Sequence, residues 1–301
     1  MATTFAEPPL DLRSALRRVV LPSLAVFGLA RVVQILALAL APQRRGRSLL
    51  DLLTGWDSRW YMSIADHGYA PPPPLSSTGV YTKLSDLAFF PLFPATIKIF
   101  SWALDTRVAA LVAALVAGAV AAVLMALWAQ PRAGAPGAVA LVAMWSLWPS
   151  SVVLSMGYSE ALFSATVAGC LLGLQRRSYV WAAVACSLAG LTRSIGAALV
   201  VALVAVLIAR RPPLRQWLPA VLLAPLGLLL ALGHVALVTG HIDGWYWVER
   251  TKWRSGFDGG TSMVSIIHGI ISGRYPAYPA LVMGGVSVVV AVATATTSTP
   301  R

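Results

Sequence analysis

The run Gly55-Trp56-Asp57-Ser58-Arg59-Trp60-Tyr61 sets a carboxylate among aromatic rings in a chain that is otherwise mostly apolar. Dry aromatic surroundings raise a carboxyl pKa, and a carboxylate so tuned can take a proton from an attacking hydroxyl. Asp57 is therefore the candidate general base of a transfer reaction, in which an acceptor hydroxyl attacks the anomeric carbon of a sugar. Trp56, Trp60 and Tyr61 would supply the setting and flat faces on which a sugar ring can stack. The competing reading is an aromatic belt at a membrane–water interface with one solvated acid. Both stand on the local residues. Arg59 and, beyond it, His67 in Ile64-Ala65-Asp66-His67-Gly68-Tyr69 are candidate substrate contacts.

Three further polar positions interrupt apolar sequence. Arg193 follows Gly190-Leu191-Thr192 between two greasy runs, where an unpaired guanidinium costs about 2.5–3.5 kcal/mol on membrane-insertion scales. A phosphate matches its planar fork of donors; a structural pair with Glu160 or a snorkelling side chain is the alternative. Glu160, after Tyr158-Ser159, is either an acceptor contact that also orients Arg193 or a charge favoured by a helix dipole. Asp86 is the other acid that can approach Asp57. Arg31 and Gln34 lie in the first apolar run, where Arg31 is expected to face a bundle or snorkel rather than touch a lipid phosphate. No His, Asp or Cys spacing suggests a metal or cofactor, and Cys170 and Cys186 both lie in apolar stretches.

The elements that must position these groups are membrane helices. The 301 residues are 58% hydrophobic and 11% charged, with mean hydropathy +0.75, against about a quarter charged in soluble domains. Small residues dominate the apolar runs, as in bundles whose helices pack closely in lipid. The net charge of +12 is not a nucleic-acid face. Its arginines cluster between apolar runs (Arg13, Arg17, Arg18; Arg176, Arg177; Arg210, Arg211, Arg215), the pattern of cytoplasmic loops under the positive-inside rule.

We expect an all-α polytopic protein of the cell membrane, with residues 1–21 a cytoplasmic tail, 22–298 one transmembrane domain and 299–301 a short tail. Pro22–Ala41 reads as a retained first helix rather than a cleaved signal. Residues 42–87 form a long first extracytoplasmic loop. Apolar runs follow at 88–104, 107–129, 138–154, 160–175, 179–192, 195–209, 216–238 and 279–298, which makes about eight or nine helices. Charge places Arg132 inside, Ser155–Glu160 outside, and 179–209 as a hairpin with Thr192-Arg193 at its outer tip. Pro91, Pro94 and Lys98 argue that 88–104 lies in the interface. Asp57, Tyr158-Ser159-Glu160 and Thr192-Arg193 then converge at the extracytoplasmic mouth of the bundle.

Trp56-Asp57, Trp60-Tyr61, Gly68-Tyr69, Ala88-Phe89-Phe90-Pro91-Leu92-Phe93-Pro94, Tyr158-Ser159-Glu160-Ala161-Leu162-Phe163 and Gly190-Leu191-Thr192-Arg193, in that order, resemble the PIG-V-like mannosyltransferases. These are the bacterial relatives of GPI mannosyltransferase 2 within the GT-C superfamily. The resemblance covers about residues 20–255. It implies a GT-C-like helical bundle and inverting transfer of mannose, or another hexose, from a polyprenyl-phosphate-sugar donor to a lipid-linked or glycolipid acceptor. It gives Asp57 the base role, Arg193 the donor phosphate, and Glu160 the acceptor or structural support. Two departures stand out. Relatives often carry Gly-Asp where this chain has Gly240-His241, and fuller members continue well past residue 300, so a C-terminally truncated member is expected. The rival class is a transporter or lipid-handling protein without chemistry, which would show internal repeats and midplane polar groups. No repeat is evident here.

Overall fold

The computed structural model describes residues 16–40, 46–69, 85–256 and 258–274. The polyproline stretch Pro71–Pro74 and the expected apolar run 279–298 lie outside the described residues. All regular structure among the described residues is helical. Among the described residues three helices are long and apolar enough to cross a membrane: Leu16–Leu40, Thr106–Leu147 and Leu214–Thr239. At 1.5 Å per residue even the shortest of them exceeds the roughly 30 Å hydrocarbon core.

The chain divides into two units, Met1–Trp253 and Arg254–Arg301. In the first, a π-helical turn (Leu16–Val20) leads into α1 (Leu21–Leu40), followed by α2 (Leu49–Leu53) and α3 (Asp57–His67). A 3₁₀ turn (Ser85–Ala88) precedes α4 (Leu92–Ser101) and α5 (Thr106–Leu147). A second 3₁₀ segment (Pro149–Ser155) leads to α6 (Glu160–Gln175), α7 (Tyr179–Thr192), α8 (Gly196–Arg210), α9 (Leu214–Thr239) and α10 (Gly244–Lys252). The second unit contains α11 (Thr261–Ile271), whose first turn is capped by Asp258, with Oδ2 accepting the Ser262 N–H at 2.8 Å.

Two apolar runs that read as separate in sequence are joined in α5. The join is a kink at Gly134 (φ 66°, ψ −179°), flanked by Pro131 and Pro136, which remove backbone donors there. The helix stops at Leu147, so the expected run 138–154 is half helix and half 3₁₀ segment. The alanine face of α5, including Ala109, Ala110, Ala113, Ala114, Ala121 and Ala122, is buried. Side chains that small let α1, α4 and α6 approach it closely.

Arg31 faces the bundle and is 3% exposed. It donates to the Ser151 carbonyl at 2.7 Å and the Ser146 carbonyl at 2.5 Å, while Gln34 donates to Ser151 Oγ at 2.6 Å. The guanidinium thus satisfies carbonyls freed where α5 ends, and its charge suits a helix C-terminus. Through them it fixes the 3₁₀ segment that leads toward Tyr158.

The hairpin expected over 179–209 is present: α7 and α8 are joined by Arg193-Ser194-Ile195. A third helix, α9, crosses α7 at backbone contact. A β-carbon on Gly227 would lie 1.9 Å from the Ser187 carbonyl oxygen, so only glycine permits this crossing. The Gly227 N–H also donates to Ser187 Oγ at 2.9 Å.

The two ends of α6 differ in charge. At its C-terminal end Arg132 donates to Gln175 Oε1 at 2.5 Å, Arg176 follows, and Arg210 donates to the Leu174 carbonyl. Its N-terminal end carries Glu160. Bonds to this one helix therefore bring basic side chains from α5 and α8 beside its own Arg176 at one end and leave the acid at the other.

Candidate functional site

Asp57 is the first residue of α3 and Glu160 the first of α6, whereas Arg193 caps the C-terminus of α7. Helix ends thus deliver all three charges, and each sits where the local dipole favours its sign. Arg193 Nη1 donates to Glu160 Oε1 at 2.5 Å and to Ser159 Oγ at 3.3 Å. Ser159 is fully buried, and its Oγ also lies 2.8 Å from the Tyr61 hydroxyl on α3. The Asp57 N–H donates to the Tyr158 hydroxyl at 3.4 Å. One polar chain therefore runs from α3 through Tyr158-Ser159-Glu160 to the tip of the hairpin.

The segment before Glu160 is wedged in place. The Gly157 N–H donates to the Leu53 carbonyl at 3.1 Å. A β-carbon there would come within 3.0 Å of both Ala110 Cβ and Ser58 Oγ, so a side chain at this position would push Tyr158 away from α3.

Asp57 is half-buried, and its carboxylate accepts no hydrogen bond among the described residues. Burial raises its pKa first, the Glu160 charge raises it further, and the Arg193 charge opposes both. Burial also pushes the Tyr158 hydroxyl up to about 12, with the Asp57 charge adding to the effect, and it pushes Tyr61 upward as well. Both phenols are therefore neutral hydrogen-bonding groups at physiological pH. Glu160 is engaged through Oε1, and its Oε2 is buried without a partner among the described residues. The arrangement holds one acid in an ion pair and leaves the other, Asp57, available as a base of raised pKa.

The chain matches no protein-family model, no curated protein and no solved structure. The reading of this site accordingly rests on its own chemistry.

Several residues expected at the site stand elsewhere. Trp60 is 2% exposed and belongs to an aromatic core, stacked on Phe89 at 5.8 Å and edge-on to Trp253 at 5.5 Å. It supports α3 from behind rather than presenting a face to a ligand. Tyr61 is also buried in that core, against Phe89 and Phe93, and only its hydroxyl reaches the polar chain. His67 is exposed at the far end of α3, with a ring nitrogen 3.3 Å from the Ser63 carbonyl. The helix rises about 15 Å between positions 57 and 67, which removes His67 from the site. The Arg59 side chain is exposed and makes no hydrogen bond or ion pair among the described residues. Asp86 is buried in the 3₁₀ turn, where its charge acts on Tyr69 and does not figure among the groups that shift Asp57. Trp56 is exposed beside Asp57.

Sequence reasoning assigned no role to Ser159, the residue that bridges Tyr61 and Arg193. Trp253 Nε1 donates to the Ser85 carbonyl at 2.8 Å and Trp245 Nε1 to the Ala88 carbonyl at 3.4 Å. These indoles fasten the end of the first loop to α10. Nearby, a cavity of about 230 Å³ is lined by Tyr69, Phe89, Phe90, Leu191, Leu230 and His234, among others. Leu191 lies one turn-end residue before Thr192-Arg193, so this apolar space abuts the hairpin tip.

Proposed function

We propose that this chain is an integral membrane glycosyltransferase of GT-C type, akin to the PIG-V-like mannosyltransferases. It moves mannose or another hexose from a polyprenyl-phosphate-sugar to a glycolipid or similar acceptor at the extracytoplasmic face of the cell membrane. The observation that carries the reading is the junction of three helix ends. It sets a half-buried carboxylate of raised pKa, unpaired among the described residues, within electrostatic reach of an ion-paired arginine. The basic cluster at the opposite end of α6 supports the orientation, because arginines favour the cytoplasmic side.

In the reaction Asp57 takes the acceptor hydroxyl proton as its oxygen bonds to the anomeric carbon. The bond from that carbon to the phosphate oxygen breaks, and its electron pair leaves with the polyprenyl phosphate. Among the described residues Arg193 engages Glu160 and Ser159 through Nη1 alone. The other guanidinium donors remain for the charge that grows on the leaving phosphate, where preorganised donors are most effective. Glu160 holds Arg193 in place and raises the basicity of Asp57. The apolar cavity beside Leu191 suits the first isoprenoid units of the donor.

Membranes containing the protein, incubated with labelled polyprenyl-phosphate-mannose and the corresponding glucose compound, test the proposal. Transfer of label from one of them into a glycolipid fraction, absent from control membranes, is expected. Label that moves across the membrane without changing its covalent attachment would instead indicate transport.

A further inference from the structure

Trp56 directly precedes Asp57 and holds φ 49° with ψ −122°. Glycine adopts this conformation freely, whereas a bulky residue there is a genuine outlier. The backbone on both sides is fixed: the Gly55 carbonyl accepts the Ser58 N–H at 3.2 Å and the Trp56 carbonyl accepts the Arg59 N–H at 3.1 Å. The turn that starts α3 therefore imposes the strain, and glycine at position 56 would relieve it. Nor is the indole held by a polar or aromatic partner. It is 61% exposed and makes no hydrogen bond or ring contact with a described residue.

Membrane anchoring does not explain this placement. Trp102 is 79% exposed at relaxed helical dihedrals (φ −66°, ψ −23°), and Trp181 is 72% exposed inside α7. An interfacial tryptophan needs only such unstrained positions. Strain retained by an exposed side chain next to the candidate base points instead to a ligand.

We propose that Trp56 is the platform on which a pyranose ring of the acceptor stacks. The acceptor is then a carbohydrate rather than a peptide hydroxyl or a bare glycerol lipid. This deepens the reading above and rests on Asp57 being the base. A pyranose has a C–H face that lies flat on an aromatic ring, with its hydroxyls around the rim. Once the ring is seated on the indole, a rim hydroxyl is carried to the neighbouring residue, Asp57, which removes its proton. Strain at the platform holds the indole outward before the acceptor arrives, so little ordering is needed on binding.

The test is binding of labelled octyl mannopyranoside, with octyl glycerol as the tail-matched control. Purified full-length protein in lipid nanodiscs is used, with the substitutions Trp56→Gly and Trp56→Phe and a melting curve for each. Wild type is expected to bind the pyranoside more tightly than the control. Trp56→Gly should weaken pyranoside binding by about 3- to 10-fold, the range of an aromatic contact. It should melt at the same temperature or higher, because the backbone strain is relieved. Trp56→Phe should recover most of the binding. Equal pyranoside binding by wild type and Trp56→Gly would overturn the platform. So would equal binding of the two ligands by wild type, which makes the site one for alkyl tails, or a lower melting temperature for Trp56→Gly, which makes the indole a packing element. The outcome is separable from the catalytic reading. Ring-dependent binding without sugar transfer keeps the platform and removes the enzyme; transfer unaffected by Trp56→Gly does the reverse.

Discussion

Neutralising the two halves of the Glu160–Arg193 pair one at a time should move the same titration in opposite directions. The partners approach to 2.5 Å, and their side chains are 31% and 39% exposed. At that separation the gross attraction is about 1.7 kcal/mol in water and about 6.6 kcal/mol at an effective dielectric constant of 20. Solvent screening and desolvation return most of this. Exposed pairs net about 0.2–1 kcal/mol, and breaking a buried pair costs about 3–5 kcal/mol. The intermediate exposure places Glu160→Gln and Arg193→Gln at about 1–2 kcal/mol of lost stability each, read from denaturant midpoints. Activity should separate them further. A base works only when ionised, so transfer falls as pH drops through the Asp57 pKa, which lies above 3.8. The Glu160 charge raises that pKa and the Arg193 charge lowers it. Glu160→Gln should therefore carry the acid limb of the pH–rate profile to lower pH. Arg193→Gln should carry it to higher pH and also lower the plateau, through loss of the donor to the leaving phosphate. An acid limb that stays fixed in both variants, or moves the same way in both, would refute Asp57 as the titrating group.

Other substitutions probe the scaffold and the base. Burial raises the folded-state pKa of Asp57 above its unfolded value, so its contribution to stability is complete below pH 3.8 and is lost as pH rises through the folded pKa. Asp57→Asn should accordingly melt no lower than wild type at pH 7, with the difference closing below pH 4, as followed by melting curves across that range. Gly227→Ala places a β-carbon 1.9 Å from the Ser187 carbonyl and must force α7 and α9 apart. A loss of at least about 1–3 kcal/mol is expected in denaturant unfolding. Arg31→Met removes the guanidinium donors to the Ser146 and Ser151 carbonyls, while Ser146 keeps those of Gln34 Nε2 and Ser151 Oγ. A loss of about 1–3 kcal/mol is expected in denaturant unfolding, with Arg31→Lys intermediate.

Much of the helical framework is legible in the residues. Long apolar runs became α1, α5 and α9, and the break between 129 and 138 became the Gly134 kink because Pro131, Gly134 and Pro136 cannot continue a regular helix. The hairpin tip at Arg193 followed from an arginine stranded between two greasy segments. Residue type does not distinguish an aromatic that faces a ligand from one that packs. Trp60 and Trp253 went to a core that also takes Phe89, while Trp56 in the same run stayed exposed. Nearness in sequence misled for His67, since a helix carries it about 15 Å from Asp57. Ser159 is legible only as a member of the Tyr158-Ser159-Glu160 group; nothing in the sequence singles out the hydroxyl that meets both Tyr61 and Arg193.

The central claim is that the Asp57 carboxylate performs proton abstraction during sugar transfer. Its most direct test is the transfer rate of purified wild type and Asp57→Asn, measured with the same labelled polyprenyl-phosphate-sugar and with folding checked by melting. The account predicts a loss of about 10²–10⁴-fold, the range for removal of a general base, in a variant that is at least as stable as wild type. Transfer by Asp57→Asn within a few-fold of wild type would contradict it.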